Sequence, residues 1–128
     1  MSQSQVNKPV LALDFDGVLL SYKDGVCEGR PTTGAIDFLD EVTKSFHVSV
    51  YSCRNGVPSN VDGIKNWLIQ IITESRPTVR AHEILRNMSI SVVKPEAHVY
   101  LDDKAITFEG TWPSIETLLK FKPWWDRK

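Results

Sequence analysis

The chain predicts an α/β protein, a three-layer sandwich around a doubly wound, mostly parallel sheet, and three observations carry that prediction. Segments of strand length alternate with segments of helical period, which is how crossover helices join parallel strands. The first strand, Val10-Leu11-Ala12-Leu13, is an uninterrupted apolar run, as suits a strand buried on both faces. Each expected strand ends on polar residues able to do chemistry, and ligands of such sheets gather at the carboxyl ends of strands.

Taken in order, residues 1–8 are polar and read as a flexible tail, leaving 9–128 as a single domain. The first strand covers 9–15 and runs into Asp14, Asp16 and Gly17. Gly17, Gly25, Gly29 and Pro31 break the next stretch, and Lys23-Asp24-Gly25 marks a small hairpin, Asp-Gly being a strong turn signal. Thr32 or Thr33 is expected to cap a helix reaching about residue 45, with Ile36, Phe38, Leu39, Val42 and Phe46 toward the core.

Residues 48–52 alternate and are rich in β-branched side chains, predicting the second strand. Ser59-Asn60-Val61-Asp62 resembles a capping box. It opens a helix in which Val61, Ile64, Trp67, Leu68, Ile71 and Ile72 recur at helical spacing. Arg76-Pro77 ends that helix, and 79–88 predicts another with Ala81, Ile84, Leu85 and Met88 on one face. Strands follow at 90–93 and 98–101, with a short one at 106–108. Ser114 caps a last helix through Leu118, Leu119 and Phe121, and Pro123 stops it.

Bulk properties narrow the function. A net charge of −1 gives no general attraction to nucleic acid or membrane. No apolar run approaches bilayer length and the N-terminus lacks the apolar core of a signal peptide, so a soluble cytoplasmic protein is expected. Cys27 and Cys53 form no metal-type grouping and read as free thiols. His47, His82 and His98 lack ligand spacing and read as structural.

The strand ends are the informative part. The expected strands deliver Asp14 and Asp16, then Ser52, then Lys94, then Asp102 and Asp103, all to one edge of a parallel sheet. Carboxylates held this close repel unless a cation or a shared proton intervenes. A hard-oxygen donor set without His or Cys favours Mg²⁺. Magnesium among carboxylates suits phosphoryl transfer, where positioning and charge neutralisation carry most of the rate.

In that order the residues resemble the haloacid dehalogenase (HAD) superfamily: Asp14-Phe15-Asp16-Gly17-Val18 its first motif, Ser52 its second, Lys94 its third, and Asp102-Asp103 its fourth. The resemblance implies a HAD-like, Rossmann-like fold and a Mg²⁺-dependent phosphatase, a phosphoric monoester hydrolase working through an aspartyl-phosphate. Asp14 would be the nucleophile. Asp16 would protonate the leaving oxygen and then activate water, its backbone carbonyl also meeting the metal. Ser52 would hydrogen-bond a phosphoryl oxygen, Lys94 would neutralise charge, and Asp102 and Asp103 would hold Mg²⁺ together with Asp14 and Asp16. Members that cleave carbon–halogen bonds lack a carboxylate at the position of Asp16, so its presence points to phosphate esters. Only positions 15–51 separate the first two motifs, which leaves no room for a large cap domain.

Cys53 and Arg54, with Asn55, follow Ser52 and are candidate substrate contacts, while Tyr22 and Lys23 read as turn residues. Trp112, Trp124 and Trp125 either close the core or form a partner or base-stacking surface. The expected substrate is a nucleotide, a sugar phosphate or a phosphorylated nucleic-acid end. The alternatives are a phospho-acceptor regulatory module resembling a response-regulator receiver, and a non-catalytic protein that binds phosphate and Mg²⁺. Receivers place the acidic pair early, the acceptor on a later strand and the lysine last, whereas here Asp14 and Asp16 come first and Asp102-Asp103 follow Lys94.

Overall fold

The computed structural model of the chain describes residues 8–23, 26–52 and 58–127. Four strands form an all-parallel sheet: β1 (Val10–Asp14), β4 (His47–Tyr51), β5 (Met88–Ile90) and β6 (Val99–Leu101), in the order β5-β4-β1-β6. β2 (Leu20–Lys23) and β3 (Val26–Pro31) form a separate antiparallel hairpin, as the Asp-Gly signal predicts. The helices are α1 (Ala35–Val42), α2 (Pro58–Ser75), α3 (Thr78–Arg86) and α4 (Ile115–Lys120), followed by a 3₁₀ turn at Trp124–Asp126. Among the described residues no helix is long and apolar enough to cross a membrane.

β1 is central because its residues tolerate burial on both faces. It pairs with β4 through Leu11↔Val48 and Leu13↔Val50, and with β6 through Leu11↔Val99 and Leu13↔Leu101. Around it, Leu39 of α1, Ile64, Leu68 and Ile72 of α2, and Ala81 and Ile84 of α3 are buried. The α2 residues fall at a spacing of four, one stripe of a helix. Arg76 and Arg80 fasten the helices from outside: Arg76 Nε donates to Asp40 Oδ2 at 2.6 Å, and Arg80 pairs with the same carboxylate. The two guanidiniums hold the Asp40 carboxyl below the ordinary carboxylate range. Lys8, the last residue of the expected tail, donates to the Thr43 carbonyl and to Asn87 Oδ1.

Three expectations are corrected. Neither threonine caps α1: the N-cap is Gly34 at φ 82°, and the Thr32 hydroxyl donates instead to the Val18 carbonyl at 2.6 Å. The third strand of the sheet lies at Met88–Ile90 and not at 90–93. Asn87 closes α3, the chain pairs at once as Val48↔Met88 and Val50↔Ile90, and it leaves β4 after the Ser91 amide reaches the Val50 carbonyl. Residues 106–108 form no strand; Phe108 packs its ring on Trp112 with centroids 4.7 Å apart. Ser114 does cap α4, its Oγ accepting from the Thr117 amide, yet α4 buries none of its residues. The core is therefore built on β1, β4 and α1–α3.

Candidate functional site

The chain runs outward from β1 to β4 and β5, then returns to lay β6 on the other side of β1. Strand order reverses between β1 and β6, the point at which open parallel sheets form a crevice. Asp14 is the last residue of β1, and Asp102 and Asp103 follow directly on β6. Ser52 follows β4 and is nearly buried. These four line a cavity of about 400 Å³ together with Asp16 and Tyr51, and Lys104 completes the wall.

Local rules explain how the first aspartates arrive there. Successive side chains of an extended chain alternate sides, so Asp14 and Asp16 reach the cavity while Phe15 between them is buried and meets the Trp67 ring edge-on at 5.2 Å. The chain then folds tightly back. The Phe15 carbonyl accepts from the Leu19 and Leu20 amides at 3.0 and 2.9 Å, and the Gly17 amide donates to the Leu20 carbonyl. Gly17 sits at φ 83°, and a Cβ there would run into Asp103 Oδ2 and the Trp125 indole nitrogen. Only glycine allows this approach.

The electrostatics are severe. Oxygens of Asp14, Asp102 and Asp103 lie within 4.8 Å of one another. Burial, a hydrogen bond with the Asp103 carboxyl and the Asp102 charge push the Asp14 carboxyl up to about 8, against the Phe15 amide that donates to Asp14 Oδ1 at 2.8 Å. The Asp102 carboxylate takes the Tyr51 hydroxyl on Oδ2 at 3.1 Å and the Lys104 amide on Oδ1 at 2.8 Å. Burial and Asp102 push the Tyr51 phenol up to about 12. Three carboxyl groups, one of them held protonated by burial and its acidic neighbours, are a donor set that fits a hard divalent cation.

A stability consequence follows for protein kept free of divalent cations. Between pH 4 and 8 the folded chain keeps on Asp14 a proton that the unfolded chain releases. The stability this contributes is complete below about pH 4 and is lost as pH rises to about 8. Melting temperatures in chelator should therefore fall across this range in the wild type relative to Asp14→Asn. A constant difference between the two would overturn the expectation.

The sequence-predicted residues separate into three groups. Asp14, Asp16, Ser52, Asp102 and Asp103 come together. Lys94 does not: with β5 ending at Ile90 it lies four positions beyond the strand, exposed, its ammonium 4.8 Å from the Tyr100 ring centroid. Cys53, Arg54 and Asn55 lie outside the described residues, as does the Asp24-Gly25 turn. His47 meets Ser89 through its Nε2, in keeping with a structural reading.

Three site residues escaped the sequence. Lys104 was signalled only by adjacency to the acidic pair, and Tyr51 only by adjacency to Ser52. Trp125 was visible as half of a Trp-Trp pair, but not its place: its indole N–H donates to Asp103 Oδ2 at 2.6 Å. Comparison with protein-family models, curated proteins and solved structures finds no match to the chain. The motifs alone carry the family resemblance.

Proposed function

We propose that the chain is a capless HAD-type phosphatase, a Mg²⁺-dependent phosphomonoester hydrolase. The observation that supports this most is the convergence of Asp14, Asp102 and Asp103 at the switch point of the sheet, in one cavity with Asp16 and Ser52. Asp14, Asp102 and Asp103 would hold the cation by carboxylate oxygens. When bound, Mg²⁺ supplies the positive charge that keeps Asp14 ionised and offsets the phosphoryl oxygens.

In the proposed reaction an Asp14 carboxylate oxygen attacks phosphorus and the bond from phosphorus to the leaving oxygen breaks. Asp16 gives that oxygen a proton. Asp16 then takes a proton from water, which attacks the aspartyl-phosphate and frees Asp14 and inorganic phosphate. Dividing one difficult hydrolysis into two displacements is the gain of a covalent nucleophile. The Phe15 amide fixes Asp14 Oδ1, which orients the carboxylate for attack. Ser52 donates to a phosphoryl oxygen, and positive charge comes from Lys104, which lines the cavity; the resemblance assigns that part to Lys94, which stands outside it. The proposed substrate is a nucleotide, a sugar phosphate or a phosphorylated nucleic-acid end.

The test is phosphate release from a panel that contains an aryl phosphate, nucleotides, sugar phosphates and 3′-phosphorylated oligonucleotides, with and without Mg²⁺. Hydrolysis of none of them would remove the enzymatic reading. The competing reading is the phospho-acceptor module. Its signature is one equivalent of stable aspartyl-phosphate from a small phosphodonor, without turnover.

A further inference from the structure

Two consecutive tryptophans of the C-terminal 3₁₀ turn reach back to the site. Trp124 donates its indole N–H to the Gly17 carbonyl at 2.6 Å, and Trp125 donates to Asp103 Oδ2 at the same distance. Gly17 and Asp103 belong to the two segments that form the cavity, the turn after β1 and the loop after β6. The Trp-Trp pair therefore bridges both walls. Gly17 leaves room for this, since a Cβ would lie 2.9 Å from Trp125 Nε1. The Lys104 ammonium lies 5.6 Å from the Trp125 ring centroid, a cation–π contact that ties the cavity lysine to the same indole.

We infer that Trp125 is a positioning residue for Asp103, and that the C-terminal turn thereby forms part of the cation site. The inference rests on the proposed function. An indole nitrogen is a donor only, on a rigid side chain with two torsions. Its hydrogen bond to a carboxylate is charge-assisted and directional. Held on Oδ2, the Asp103 carboxylate keeps one orientation toward Asp14 and Asp102. Without that bond it rotates between hydrogen-bonding Asp14 and facing solvent. Groups that orient a ligand from behind typically contribute about 10–100-fold to metal affinity.

The test measures Mg²⁺ affinity by calorimetry on the full chain, for wild type, Trp125→Phe, Trp112→Phe, Asp103→Asn and the Trp125→Phe/Asp103→Asn double variant. Circular dichroism without cation reports folding. Trp112 is exposed and packs against Phe108, so its variant controls for loss of an aromatic ring. The expected result is a folded Trp125→Phe chain that binds Mg²⁺ about 10–100-fold more weakly, unchanged binding in Trp112→Phe, and no added loss in the double variant beyond Asp103→Asn. Wild-type affinity in Trp125→Phe, or losses that add in the double variant, would overturn the inference and leave the phosphatase reading intact. Absence of Mg²⁺ binding in the wild type would overturn both. Tb³⁺ luminescence in the wild type serves if Trp125→Phe does not fold. Sensitisation by indole, displaced by Mg²⁺ and retained in Trp112→Phe, is expected, and its absence counts against the inference.

Discussion

Asp14→Asn is expected to abolish phosphate release while leaving the chain folded. Loss of a covalent nucleophile lowers turnover by on the order of 10⁴–10⁶, because the remaining groups have no second path to the same intermediate. Asparagine has nearly the shape of aspartate, and its side-chain oxygen can still accept from the Phe15 amide that meets Asp14 Oδ1. It also removes the carboxyl that burial, Asp103 and Asp102 push up to about 8. The variant should therefore be at least as stable as the wild type at pH 8 without divalent cations. The measurement is steady-state release of phosphate from an aryl phosphate with Mg²⁺, beside thermal melts in chelator. Turnover within tenfold of wild type would exclude Asp14 as nucleophile.

Gly17→Ala is the second large effect, and it acts on stability and site together. An alanine at φ 83° costs about 1–2 kcal/mol from the backbone alone. Its methyl group would also meet Asp103 Oδ2 and Trp125 Nε1, and overpacking of this kind adds about 1–3 kcal/mol. Relief of the clash moves Asp103 or the C-terminal turn, so the proposed Mg²⁺ binding should weaken along with stability. Gly63, inside α2, is the comparison: a Cβ there meets nothing within 4 Å. Gly63→Ala should be neutral or stabilising by up to about 1 kcal/mol. Urea unfolding of both variants gives the contrast, and equal stabilities would remove the strain argument.

The parts legible in the sequence were those governed by local pattern. The apolar run before Asp14, the alternation of 48–52 and the spacing of Ile64, Leu68 and Ile72 each imply an element and a buried face, and each forms that element with that face buried, although Ser49 on the other face of β4 is buried as well. The Ser114 cap was legible for the same reason, since a hydroxyl three residues before an amide is a local relation. The failures depend on partners distant in sequence. Ser91, Val92 and Val93 keep a strand-like composition, but β5 ends where its pairing with β4 ends. Lys94 loses its strand-end position for that reason alone. Thr32 turns from the helix to Val18 because the hairpin returns beside it. The Trp125 contact spans 22 positions and the Trp124 contact 107, distances over which spacing carries no signal.

The position of β6 has a dynamic consequence. It is an edge strand of three residues, pairs with β1, and leaves Val99, Tyr100 and Leu101 each at least 40 % exposed. Asp14 stands on a buried strand, while Asp102 and Asp103 follow a strand with little buried apolar surface to hold it. Segments of this kind open at a fraction of the global unfolding free energy. Amide hydrogens of β6 should exchange well before those of β1 and β4 in the cation-free chain. A ligand that bridges Asp14 to Asp102 and Asp103 binds only the closed form, so it slows exchange at β6 in proportion to its concentration over its dissociation constant. The two halves of the site thus differ in local stability, and occupancy joins them.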